Sequence, residues 1–339
     1  MSRKNDNRKD RRKSEQRNRR KYSEKNQSGK IRAAKKRWWE LLGALLIVVF
    51  VVLFGEQTGI FAEKAQELVT DQTDLSAQED VLEVHFIDIG QGDATLIKQG
   101  SHAMLIDAGE NDKGTAVQLY LQKHGVERLD YLILTHTDSD HIGGADVIIS
   151  KYEIQTILLS DFPKENKTYR DVMDSMDAKG VDFTEPKVGD SYLLGNAKFT
   201  IVAPNRTYAD PNNSSIALVL QHGENSFLFS GDAEAEAEED ILKNGMDLDV
   251  DVYKAGHHGS SSSSSEAFLD AMSAEAAVIS CAADNSYGHP HAEVLNALRA
   301  RKMKVYRTDE QGSIMATSDG TDIIWNCSPS DSWQSGERR

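Results

Sequence analysis

The stretch Leu132-Ile133-Leu134-Thr135-His136-Thr137-Asp138-Ser139-Asp140-His141-Ile142-Gly143-Gly144 constrains this chain more than any other. An apolar strand ends and, within six residues, delivers His136, Asp138, Asp140 and His141, all of types that ligate metals. A strand that exits onto a loop lets such side chains converge, and their alternating spacing directs them to adjacent positions. Gly143 and Gly144 then allow a tight passage into a helix. One His or Asp here would read as a polar turn capping that helix, but four together point to metal binding.

The charge is divided along the chain. Residues 1–37 hold 17 Lys or Arg and 4 Asp or Glu, net +13, and the remainder is net −28. Between them, after Trp38, Trp39 and Glu40, residues 41–55 are uncharged and mainly apolar, continuing after Glu56 to Ala62. The unbroken part spans ~22 Å as a helix, short of a ~30 Å hydrocarbon core unless its flanks contribute. The tryptophans suit an interfacial anchor. A 37-residue arm is long for a signal-peptide n-region and no clear cleavage site follows, so an uncleaved anchor is expected over residues 38–62. The positive-inside rule keeps the largely disordered basic arm, residues 1–37, in the cytoplasm, against anionic lipid, and exports the acidic body. Residues 63–80 read as an acidic stalk, residues 81–327 as the folded domain and residues 328–339 as a polar tail. Two cysteines, Cys281 and Cys327, are too few for a disulfide scaffold, and spacing does not decide whether they pair.

Strand-like runs are predicted at 81–89, 102–107, 131–135, 156–159, 199–203, 216–220, 227–229, 249–254 and 276–280, with final strands through Trp325. Helices are predicted at 115–124, 232–243, 264–272 and 290–301. The turn at His222-Gly223-Glu224-Asn225 reads as a hairpin, which argues against a purely parallel arrangement. A layered α/β sandwich with mixed sheets fits best.

Six motifs stand in order: Phe86-Ile87-Asp88-Ile89-Gly90-Gln91-Gly92-Asp93-Ala94, Leu105-Ile106-Asp107-Ala108-Gly109, the His136 motif, Ser230-Gly231-Asp232, Lys254-Ala255-Gly256-His257-His258-Gly259-Ser260 and Tyr287-Gly288-His289-Pro290-His291. On these residues the chain, over roughly 81–325, resembles the metallo-β-lactamase superfamily, specifically the hydrolase domain of ComEC-type competence proteins. The resemblance implies a four-layer αββα sandwich, here expected behind one N-terminal transmembrane helix. It implies two divalent ions, Zn²⁺ or Mn²⁺. His136 and Asp138 would serve one, Asp140, His141 and His257 the other, and Asp232 would bridge them. Asp138 stands where most of the superfamily has histidine, a departure shared with the ComEC-like branch. The intermediate histidine of the family is absent, and Asn213 or a water would take its place. Asp107 would support the metal-binding loop, with His258 beside the centre. Asp88, Gln91 and Asp93 would form a substrate loop, Ser260 would offer a phosphate contact from a serine run that caps a helix, and His289 would contact phosphate or assist the leaving group.

A carboxylate in place of imidazole makes such a site harder, so Mn²⁺ competes with Zn²⁺. Two ions would deprotonate a bridging water, with Asp140 among the catalytic ligands, and orient a phosphodiester for attack by hydroxide. The expected activity is therefore a membrane-anchored phosphodiesterase or nuclease on the outer face, with DNA the leading substrate and a separate channel partner for any uptake. A net charge of −28 opposes a polyanion unless cations rim the cleft. Hydrolysis of cell-wall phosphodiesters, or a non-catalytic surface binding or assembly module, are the alternative readings.

Overall fold

Period-two alternation gives each strand two usable faces. The computed structural model, which describes residues 80–336 apart from 161, places both faces of the central strands against apolar layers. In chain order come β1 (Leu82–Phe86), β2 (Thr95–Gln99), β3 (His102–Ile106), α1 (Gly114–Lys123), β4 (Arg128–Leu134), α2 (Ser139–Ile142), α3 (Ala145–Lys151), β5 (Glu153–Leu159), α4 (Lys167–Lys179), β6 (Phe183–Thr184) and β7 (Ser191–Leu194). Then follow β8 (Ala197–Ala203), β9 (Ala217–His222), β10 (Asn225–Phe229), α5 (Ala235–Lys243), β11 (Val252–Lys254), α6 (Glu266–Asp270), β12 (Ala276–Ile279), α7 (Ala292–Ala300), β13 (Lys304–Arg307), α8 (Thr308–Gln311), β14 (Ile314–Ser318) and β15 (Ile323–Trp325).

One sheet runs β15-β14-β1-β2-β3-β4-β5-β6 and the other β13-β12-β11-β10-β9-β8-β7. Both are mixed: β3 to β6 and β10 to β13 are parallel, the remaining pairs antiparallel. The β9–β10 hairpin turns at Gly223-Glu224 with His222 opposite Asn225, as the sequence indicates. Between the sheets lie Phe86, Met104, Ile133, Phe199, Leu218 and Phe227. The outer face of the first sheet, with Leu105, Leu132 and Leu134, packs against Val117 and Leu121 of α1, Ile148 of α3 and Val172 of α4. On the outer face of the second, Tyr253, Ala277 and Ile279 meet Ile241 of α5, Phe268 of α6 and Leu298 of α7. The order of layers is thus αββα, and each large side chain so buried contributes about 1.5–3 kcal/mol.

Several expectations change. β2, β7 and α4 are additional elements, while α3 follows Gly144 as the glycine pair indicates. The helix expected from residue 232 begins at Ala235, because Asp232 is turned into the site described below. The polar tail is laid against the fold: Ser330 N donates to Val305 O at 2.7 Å, Gly336 N to Pro290 O at 3.0 Å, and Arg299 lies 5.4 Å from the Trp333 ring centre. Cys281 is buried, Cys327 is half-buried, and both are free thiols. The basic arm, the anchor at 38–62 and nearly all of the stalk lie outside the described residues. Among those described, no helix is long and apolar enough to cross a membrane.

Candidate metal centre

The parallel strands of both sheets end on the same side, and ligands collect outside their carboxyl ends, as is general for such sheets. Asp107 directly follows β3, Thr135 and His136 follow β4, Asp232 stands three residues beyond the end of β10, His257 and His258 follow β11, and Ser280 follows β12.

Asp107 organises the first sheet's contribution. It is 1% exposed and left-handed at φ 58°. Its Oδ1 accepts Thr135 N at 2.8 Å, and its Oδ2 accepts Thr135 Oγ1 at 2.7 Å and His141 Nδ1 at 2.8 Å. Fixing Nδ1 turns His141 Nε2 toward the centre, the usual device for orienting a metal-binding imidazole. From the second sheet, Asp232 Oδ2 is ringed by four imidazoles: Nε2 of His141 at 3.3 Å, His258 at 3.5 Å, His257 at 3.8 Å and His136 at 3.9 Å. His258 Nε2 also lies 3.2 Å from Asp140 Oδ2, while its Nδ1 is held by Ser280 O at 3.0 Å.

These charges shift one another. Burial alone would raise the Asp232 carboxyl, but His141 and His258 hold it well below the usual carboxylate range. Asp140 is lowered likewise, burial opposing and His141 and His258 prevailing. Burial disfavours a charged His141, yet Asp232, Asp107 and Asp140 raise it well above 6.5, and His258 is raised for similar reasons. His136 is lowered, by burial and then by His141.

The donor set fits a cation. His136 Nε2, His141 Nε2 and Asp232 Oδ1 are buried without hydrogen-bond partners, a costly arrangement unless something else satisfies them. One ligand atom each from Asp93, His141, Asp232 and His258 lies within 4.8 Å of the other three.

Asp93, expected on a substrate loop with Asp88 and Gln91, belongs to this cluster and forms a buried ion pair with Lys254. Burial raises its carboxyl, but Lys254 and His258 bring the net shift downward. Of the histidine pair, His258 joins the cluster; His257, the expected ligand, reaches Asp232 but holds Ser262 Oγ at 3.0 Å and Glu234 at 3.3 Å through Nδ1. The Asp138 carboxylate is engaged by Lys164. Asn213 does not replace the absent histidine: its Oδ1 accepts Glu234 N at 3.0 Å and Ala237 N at 3.3 Å, capping the first turn of α5. Ser215, which sequence reasoning passed over, stands there, with Oγ 3.3 Å from His136 Nδ1 and accepting Asp232 N at 3.1 Å.

Around the rim, Asp88 is exposed and closes its own turn onto Gly90 N. Gln91 Oε1 accepts Ala282 N at 3.4 Å, leaving Nε2 buried and unpartnered. Ser260 contacts Ser262, and the run continues into Ser264 and Ser265, whose amides are taken by Glu238 at 2.5 and 2.8 Å, so Glu238 does the capping expected of the serines. His289 is 4% exposed, 6.0 Å ring to ring from His258, with an unpartnered Nδ1; burial and the neighbouring His258, His257 and His291 push its pKa down to about 3.

The glycine loop owes its course to one close approach. A Cβ on Gly92, at φ 120°, would stand 2.3 Å from Asp140 O, whereas one on Gly90, at φ 80°, would meet nothing within 4 Å. Gly90→Ala should therefore lose only conformational strain, about 1 kcal/mol, and Gly92→Ala about 3 kcal/mol or more because backbone must also move. Urea unfolding of both variants checks this; equal losses would show that the close approach is unimportant.

The description "metallo-beta-lactamase superfamily" is that of the family model matching residues 87–283. ComE operon protein 3 of Bacillus subtilis is 33% identical over 252 residues, 68% of this chain and 32% of that protein. Recombination protein 2 of Haemophilus influenzae is 31% identical over 238 residues, 68% and 28% of the two chains. Competence protein ComA of Neisseria gonorrhoeae is 33% identical over 233 residues, 67% and 31%. The chain spans about a third of the length of these curated relatives.

Proposed function

Since the chain belongs to the metallo-β-lactamase superfamily, we propose that it is a metal-dependent hydrolase of phosphodiesters, with DNA the leading substrate. The observation that carries the reading is the set of buried, unpartnered ligand atoms on His136, His141 and Asp232, with both histidine Nε2 atoms within 3.9 Å of Asp232 Oδ2. Divalent ions held there supply Lewis acidity toward a phosphoryl oxygen and a water acidified into a nucleophile.

The chain's own residues do the rest. Asp107 and Ser280 O fix the rings of His141 and His258 by their Nδ1 atoms, so both Nε2 atoms face inward without reorganisation. Asp140, held by His258, completes the anionic side. His289, with its pKa near 3, is a neutral imidazole at pH 7. It is therefore suited to hydrogen-bond a phosphate or departing oxygen, not to deliver a full proton.

DNA is favoured because two relatives carry the names competence protein and recombination protein. The anchor at 38–62, the outward-facing domain and a separate channel partner belong to the same proposal, supported by the uncharged run at 41–55 behind the basic arm.

The test is hydrolysis by the purified full chain, with Mn²⁺ and with Zn²⁺, of bis(p-nitrophenyl) phosphate and of single-stranded DNA, beside an Asp140→Ala/His141→Ala control. Turnover of both substrates, lost in the control, is the expected result. Turnover of the small diester alone would remove DNA and favour a cell-wall or small-molecule diester. Metal binding without turnover of either would leave a binding module.

A further inference from the structure

Lys254 ends β11 after the buried Val252 and Tyr253, and it is 4% exposed. A buried ammonium needs compensation, and its Nζ donates to Asp93 Oδ2 at 3.0 Å and to Ala255 O at 3.2 Å. Asp93 Oδ1, 2.9 Å from the same nitrogen, makes no directed hydrogen bond and is buried without a hydrogen-bond partner. It lies 3.8 Å from His258 Nδ1. The backbone cannot easily carry this carboxylate elsewhere: Asp93 N donates to Asp140 O at 3.1 Å, Asp93 O accepts Gly109 N at 2.9 Å, and Gly92 lies against Asp140 O. Asp93 is thus clamped against the metal-binding loop, with both oxygens within 3.0 Å of the Lys254 ammonium and one of them in the cluster with His141, Asp232 and His258.

We propose that Asp93 is a further metal ligand, through one carboxylate oxygen, and that Lys254, in contact with both oxygens, is its resident counter-cation, setting how tightly the centre binds a divalent ion. The inference rests on the metal-centre reading above, but not on hydrolysis. Without metal, Lys254 offsets the negative charge that Asp93 adds to Asp140 and Asp232. With metal, the same ammonium opposes the dication across one carboxylate, so the chain trades affinity for a stable metal-free fold. The strength of a unit charge on a dication a few ångströms away in a poorly solvated site makes repulsion the larger effect of Lys254, ahead of its orienting bond to Oδ2.

The experiment is calorimetric titration of the metal-free full chain with Mn²⁺ and with Zn²⁺, alongside its thermal unfolding. Three variants are compared with wild type: Lys254→Met, Asp93→Asn, and the double variant, in which a neutral pair replaces the ion pair. Lys254→Met should bind metal on the order of tenfold more tightly while its metal-free form melts at lower temperature. Asp93→Asn should bind more weakly. The double variant decides the role of Asp93, because it removes the ligand without leaving Lys254 uncompensated. Binding on the order of tenfold weaker than wild type is expected, and binding equal to wild type would reduce Asp93 to a mere counter-ion and overturn the proposal. Unchanged or weaker affinity in a folded Lys254→Met would overturn the role of Lys254. If metal-free Lys254→Met does not fold, the double variant against wild type still decides on Asp93, and recovery of fold on adding Mn²⁺ supports the counter-cation. Absence of metal binding by wild type would sink the metal-centre reading itself, and this inference with it.

Discussion

Asp107→Ala should lower metal affinity about 10- to 100-fold and carry turnover down with it, although Asp107 touches no substrate. The carboxylate receives three buried donors, from Thr135 N, Thr135 Oγ1 and His141 Nδ1. Alanine leaves all three unpaired, at about 1–3 kcal/mol for each that water cannot reach. Alanine also tolerates φ 58° poorly, whereas asparagine adopts it readily. Asp107→Asn therefore separates the two contributions. It should fold, since an amide oxygen can still accept from Thr135, yet lose charge and acceptor capacity behind His141. Calorimetry with Mn²⁺ and urea unfolding of both variants make the comparison. An Asn variant with wild-type metal affinity would show that Asp107 only shapes the loop, and that the orientation of His141 comes from packing.

The same residue shows what could be read in advance. Asp107 follows a strand that is almost entirely apolar, and such strands, with their polar exits, stand out in sequence: β3, β4, β5 and β10 to β12 all lie within or close to the runs predicted for them. α4 was not among the predicted helices, although Tyr169, Val172, Met173 and Met176 stand at i, i+3, i+4 and i+7, because with Ala178 they are only five of its 13 residues beside many charges. Its ends were legible: Asn166 accepts Tyr169 N at 2.8 Å and Gly180 is left-handed at φ 69°. Within the centre, the motifs located the clustered side chains but not their partners. Consecutive left-handed residues at His257 and His258, φ 49° and 55°, defeat any rule of alternation, so spacing could not choose between them. Asn213 was misread because its true partners, the amides of Glu234 and Ala237, are 21 and 24 residues away. Lys254 did leave a signal: a charge closing an otherwise buried strand requires a buried counter-charge. Only the tertiary structure names Asp93 as that partner.

Metal binding by this centre should release protons, and its affinity should climb steeply with pH. In the metal-free chain His141 is raised well above 6.5 and His258 is raised, in each case against the cost of burial, by Asp232 and the neighbouring carboxylates. Ligation requires both Nε2 atoms to be unprotonated, so each ring gives up a proton, while His136, lowered by burial and by His141, has none to lose. Below the raised values affinity should gain about tenfold per released proton for each pH unit, up to about 100-fold for the pair. The stability of the chelated chain runs the other way. A raised histidine stabilises the fold fully below its unfolded value of about 6.5, and that contribution is lost as pH rises through the folded value. Asp140 and Asp232, being lowered, contribute above the unfolded value of about 3.9 and lose their contribution as pH falls through the folded one. The lowered His136 and His289 act oppositely, destabilising the fold as pH falls below about 6.5, so with chelator present the melting temperature should peak near pH 6.5 and fall on the alkaline side as His141 and His258 lose their protons. With Mn²⁺ in excess the alkaline fall should vanish, because the metal then takes the place of the protons. Calorimetry in buffers of different ionisation enthalpy counts the protons directly. Release of none between pH 6 and 7 would mean that both rings are neutral before metal enters, and that the carboxylates around Asp232 are balanced by something other than these imidazoles.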